Sequence, residues 1–162
     1  MPSSVWGLPV HPLVVHLVVF LIPLVVLASL VVAVWPRARR VAAPWVLAVA
    51  TLGVLSVPLA TSSGERLEHQ VPHSALVERH AELADGLLPL VAGLWLALAI
   101  MVAVAWHVRR RPTAPRWAAA VTVIAAVLTV GTSAAAGVQV VRIGHSGAKA
   151  VWHNVDAHSR PR

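Results

Sequence analysis

The sequence predicts an all-α integral membrane protein: a four-helix bundle running up-down-up-down with both termini extracytoplasmic. Three observations lead there. Hydrophobic residues make up 58% of the 162-residue chain and charged residues only 12%, with a mean hydropathy of +0.77, a balance foreign to an ordinary soluble domain. Four apolar stretches each reach the roughly 20 residues that a helix needs to cross the hydrocarbon core. An open sheet cannot satisfy its backbone in lipid, so each stretch must be helical. Finally, the charges are sorted by side. Arg37, Arg39 and Arg40 fall between the first and second stretches, and Arg109, Arg110, Arg111 and Arg116 between the third and fourth, with no acid in either loop. The six acidic residues, Glu65, Glu68, Glu78, Glu82, Asp85 and Asp156, fall on the other side. Unopposed arginine marks the cytoplasmic face, which makes the chain a multi-pass membrane protein with both arginine loops in the cytoplasm.

The helices are expected at about 10–35, 43–62, 74–107 and 117–145, in one domain over 1–150 followed by a polar tail over 151–162. Helix one opens with His11 at the cap and Pro12 at the first helical position, where a missing N–H costs nothing. No basic residue precedes it and no A-x-A site follows, so it reads as a retained anchor and not as a cleaved signal. Helix two follows the first arginine loop. Helix three starts at Ser74, after Pro72, with Glu78 and Glu82 early in the helix where the dipole favours anions. Helix four carries Gly131, Thr132, Ser133, Ala134, Ala135, Ala136 and Gly137, small residues that allow a neighbour to approach closely. Pro23, Pro58 and Pro89 interrupt three helices, each freeing the carbonyl four residues earlier. The short basic loops make helices one–two and three–four antiparallel hairpins. Trp35, Trp45, Trp106 and Trp117 mark the inner ends as an interfacial belt and give a common zero of height. No internal repeat is evident.

Composition also excludes chemistry. With no cysteine, disulfides, iron–sulfur clusters and thiolate metal sites are ruled out, so any metal or cofactor is held by nitrogen or oxygen. The net charge of +7 comes from the two arginine loops and addresses anionic lipid, not nucleic acid. Ser62-Ser63-Gly64 and Gly144-His145-Ser146-Gly147 are not nucleophile elbows, and no Walker lysine or G-x-G-x-x-G is present.

The chain has nine histidines, of which only His107 lies at the arginine end. An ionisable side chain in a membrane needs a partner and is a site hypothesis by default. Counting from the tryptophan zero puts His16 roughly 28 Å up helix one and Glu65 roughly 30 Å up helix two. One tier higher come His11 and His69 at roughly 36 Å, His80 at roughly 39 Å and His145 at roughly 42 Å. Two imidazoles on facing helices can ligate heme iron, and imidazole with carboxylate can hold Fe, Cu or Zn. For heme b the diagonal helices one and three offer His16 with His80, whose heights differ by about 10 Å; His11 with His80 agrees better, although His11 occupies the cap. Arg142 is placed to pair with a heme propionate, or with Glu65 or Asp85. A bare metal ion would draw on His16, Glu65, His80 and His145. His69, His73, His153 and His158 are assigned to the surface and His107 to the interface.

Gly7-Leu8-Pro9-Val10-His11-Pro12-Leu13-Val14-Val15-His16 resembles the opening of the bacterial membrane family called domain of unknown function 2231. Ser63-Gly64-Glu65, His80-Ala81-Glu82-Leu83-Ala84 and Val141-Arg142-Ile143-Gly144-His145-Ser146-Gly147-Ala148 are similar to later motifs of that family. The usage of Ala, Val and Arg looks like that of an actinobacterial member. The resemblance implies a four-helix membrane protein, sometimes joined to Rieske or cytochrome modules, and by that association a redox or heme role. Many members carry a further histidine inside helix four, where this chain has Thr132 to Gly137, so a second heme is not implied here. The expected function is a membrane protein whose histidine-rich outer site binds b-type heme or a transition metal for electron transfer; the alternative is a cofactor-free accessory subunit. The partner classes are the lipid bilayer, a redox protein or respiratory subunit, and further copies of the chain.

Overall fold

The computed structural model describes residues 4–5 and 8–158, with side chains described from Val10 to Trp152. A two-residue antiparallel pairing, β1 (Ser4–Val5) with β2 (Leu8–Pro9), leads into five helices. They are α1 (Val10–Val34), α2 (Pro36–Glu68), α3 (Ala75–Asp85), α4 (Leu87–Arg109) and α5 (Arg116–His158). With α3 and α4 taken as one interrupted rod, four segments are long and apolar enough to span a membrane.

The α1–α2 turn is tighter than the sequence suggests. Trp35 alone is non-helical, at φ −112° and ψ 103°, because the ring of Pro36 pushes the preceding residue out of the α region. Pro36 then serves as a preset first helical residue. Arg37, Arg39 and Arg40 therefore lie in the first turns of α2 and not in a loop before residue 43. Arg39 reaches back to donate to the carbonyls of Val32, at 3.0 Å, and Ala33, groups that the end of α1 leaves without helical donors. Pro44, inside α2, likewise removes the N–H that would serve Arg40. Arg109 Nη2 donates to that Arg40 carbonyl at 2.7 Å, joining the two arginine clusters.

Ser74 caps α3 as expected, its hydroxyl accepting from Val77 N–H at 3.3 Å. The third expected helix is broken at Gly86, just ahead of Pro89, whose ring crowds the carbonyl four residues back. Gln139 Nε2 on α5 donates to the Leu83 carbonyl at 2.6 Å and steadies the break. A β-carbon at Gly86 would stand 3.1 Å from that same nitrogen. Helix α5 continues through His158, beyond the expected end near 145 and through residues expected in the tail. The stretch of α5 around Ile143 and Ser146 packs against α3.

Around the bundle, α1 touches α2 and α5, and α4 touches the same two, so α1 and α4 are diagonal. The core-facing stripe of α1 is Val18, Ile22, Val25, Ser29 and Val32, at three- and four-residue steps, while Leu13, Leu17, Phe20, Leu24, Leu27 and Val31 face outward. Both stripes are apolar because both environments are. Opposite them, Val91, Leu94, Leu98 and Met101 of α4 are fully buried. Gly53 lets α1 come close, since a β-carbon there would lie 3.1 Å from Ile22 Cδ1. Trp95 Nε1 donates to Thr51 Oγ1 at 2.9 Å and ties α4 to α2. On α5, Ser133 and Ala136 are fully buried and Gly137 faces Val26. Gly131 is exposed, with open space where a side chain would be, so it takes no part in the close approach expected of it.

Candidate functional site: two anchored histidines

The histidine-bearing end of the bundle is held together by two matching clasps. His11, in the first turn of α1, sets Nδ1 at 3.2 Å from the Ala60 carbonyl and 3.0 Å from Ser63 Oγ on α2. His80, on α3, sets Nδ1 at 3.2 Å from the Ile143 carbonyl and 3.1 Å from Ser146 Oγ on α5. In each clasp the serine also donates to that carbonyl, at 2.8 Å from Ser63 and 2.9 Å from Ser146. A glycine follows each serine, and each is required by the ring above it. A β-carbon on Gly64 would lie 3.0 Å from His11 Cε1, and one on Gly147 would lie 3.0 Å from His80 Cε1. Both imidazoles thus rest against bare helix backbone.

This geometry dictates a tautomer. A carbonyl oxygen only accepts, so the Nδ1 that bonds it carries the proton and, in the neutral ring, the lone pair sits on Nε2. Neither Nε2 has a hydrogen-bond partner among the described residues. Both rings are partly buried. Each imidazole is thus held in a fixed orientation with the Nε2 lone pair, the atom through which a neutral imidazole can ligate a metal, directed away from its clasp.

The two clasps share one local arrangement that the sequence does not reveal. His11 and Ser63 are separated by 52 residues and His80 and Ser146 by 66, so no single period aligns them. Ser63-Gly64 and Ser146-Gly147 are visible in the sequence as paired Ser-Gly steps. What sequence reasoning missed was their role as the seats of the two histidines.

The remaining candidates are dispersed. His16 is exposed and turned back on its own helix, Nδ1 at 2.5 Å from the Pro12 carbonyl. It does not share a tier with Ser63-Gly64-Glu65; His11 does. The height count misplaced helix two because Trp45 lies well inside α2, which already begins at Pro36. Glu65, His145 and Arg142 are exposed. Arg142 forms no ion pair with Glu65 or Asp85 among the described residues; Arg79 pairs with Glu82 at 3.0 Å. Among the described residues no three His, Cys, Asp or Glu side chains form a group able to hold a metal ion. His69 and His73 are exposed, as expected, while the side chains of His153 and His158 lie outside the described residues. His107 stacks 5.6 Å from Trp117 at the arginine end, beside Arg110, whose guanidinium lies 3.6 Å above the Trp106 ring.

No curated protein and no solved structure matches the chain. The profile of one family does, over residues 7–158, and its description is predicted membrane protein (DUF2231). That span contains all four membrane-crossing segments and both histidine clasps, and the chain therefore belongs to the DUF2231 family of membrane proteins.

Proposed function

We propose that this protein carries electrons at one surface of a bacterial cytoplasmic membrane, through a b-type heme held by His11 and His80. The observation that supports this reading is the pair of clasps, each fixing Nδ1 on a backbone carbonyl and leaving Nε2 without a partner among the described residues. Heme iron takes two imidazole ligands and supplies one-electron chemistry. The residues present fit that demand. The carbonyls of Ala60 and Ile143 set ring orientation and raise the basicity of each imidazole. Gly64 and Gly147 leave the rings flush against the helices, and apolar residues of α1 and α4 fill the bundle interior below them. A bare ion ligated by His16, Glu65, His80 and His145 lacks such support, because three of those four side chains are exposed. A redox protein or respiratory subunit would dock at the histidine-bearing end, where the heme edge would be within reach.

The test is heme content per chain, by pyridine hemochrome, after expression with heme supplied. Wild type is expected to carry one heme, His11→Ala and His80→Ala to lose it, and His16→Ala and His73→Ala to retain it. Colourless wild-type protein, or retention by both His11→Ala and His80→Ala, would overturn the proposal in favour of histidines that only clasp helices.

A further inference from the structure

At the opposite end of the bundle, helices α1 and α5 close tightly and then part. Val26 touches Gly137, and one turn further toward the arginines Ser29 and Ser133 are both fully buried. Beyond this seal a groove of about 400 Å³ opens between Ala33 and Val34 of α1 and Ala126, Val127 and Val130 of α5. Its walls are apolar, and the polar side chain lining it is Arg39.

Arg39 is not a loose surface charge. Its Nε and Nη2 are spent on the last carbonyls of α1, which fixes the guanidinium beside the groove, with no partner for Nη1 among the described residues. Arg37 and Arg40 stand exposed beside it, and the seven arginines at this end face no acidic residue in either connection. An apolar furrow within the span of the bilayer, ending at a pre-positioned guanidinium, has the polarity of a phospholipid. The surplus of positive charge selects a headgroup with net negative charge.

We propose that this groove binds an anionic phospholipid, one acyl chain lying between α1 and α5 and the phosphate on Arg39. The site is separate from the histidines and does not depend on what they ligate. The experiment is native mass spectrometry of the full chain from mixed micelles containing equal phosphatidylglycerol and phosphatidylcholine. One phosphatidylglycerol per chain is expected to survive removal of the detergent, in preference to phosphatidylcholine. Arg39→Gln should lower its retention about tenfold, whereas Arg79→Gln, on α3 at the opposite end of the bundle, should leave it unchanged. Arg39 also caps α1, so a second variant fills the groove and leaves the cap alone: Val130→Trp, at an exposed position, should likewise lose the lipid. Equal retention of the two lipids, or wild-type retention by Val130→Trp, would overturn the proposal. Displacement by inorganic phosphate alone would assign the arginine to free anions and overturn it as well.

Discussion

A hydrogen atom in place of a methyl group decides whether each imidazole can lie where it does. Alanine at Gly64 or Gly147 would set a methyl 3.0 Å from the ring carbon of His11 or His80. Each ring is pinned through Nδ1 and can retreat only by stretching those bonds. In titrations of heme into apoprotein, Gly64→Ala and Gly147→Ala are expected to weaken binding at least about tenfold, or about 1.4 kcal/mol. Gly144→Ala, which meets nothing within 4 Å, should bind as wild type. Unaltered affinity in both clasp variants would mean that ring seating is irrelevant to ligation. At this scale the sequence was informative about residue type and less so about pairing. Histidine in an apolar chain announces a site, and His16 with His80 was the first pair it suggested, of which His16 lies exposed against its own helix. The counted heights agreed better for His11 with His80 than for His16 with His80, and it was the cap position of His11 that weighed against that pair; the offset lay on helix two, where Trp45 served as the end marker. A tryptophan inside a lipid-facing helix is as comfortable as one at its end, so composition could not reveal the offset.

Helices are where the sequence was most legible, and their ends where it was least. Four apolar segments must be helical whatever their detailed order, and Ser74 announced its own cap. Pro36 and Pro44 look like terminators but are accommodated inside or at the start of α2, through long-range donors such as Arg109 that no local window contains. Facing was harder still. In a soluble helix polarity separates the inner stripe from the outer, whereas here both are Val, Leu and Ala, and small residues are the remaining clue. That clue placed Gly131 and Ala136 together, yet Gly131 meets nothing and Ala136 is fully buried. Ala136→Leu is therefore expected to cost about 1–3 kcal/mol through overpacking, seen as a lower thermal midpoint in detergent. Gly131→Leu should leave that midpoint within error of wild type. The reverse order would mean that α5 is rotated relative to this arrangement.

For the molecule as a whole, the arginine clusters and the histidine clasps lie at opposite ends. Seven arginines gather where α1 meets α2 and α4 meets α5, and the two clasps close the other end. Reporter fusions at Arg39 and Arg111 are expected to read as cytoplasmic, and a cysteine introduced at Lys149 to be labelled by an impermeant thiol reagent from outside; the opposite pattern would put the histidines in the cytoplasm.

The one-residue corner at Trp35 carries a consequence for evolution. With no slack between α1 and α2, the chain interval from His11 to Ser63 acts as a ruler. One residue inserted within α2 before Ala60 would turn Ser63 by about 100° and shift it by about 1.5 Å, taking it out from under the ring. The segment between Arg109 and Arg116 has turns and bends in which added length can be absorbed. Natural homologues are thus expected to tolerate insertions and deletions there, while lineages that gain or lose a single residue between His11 and Ser63 should be purged.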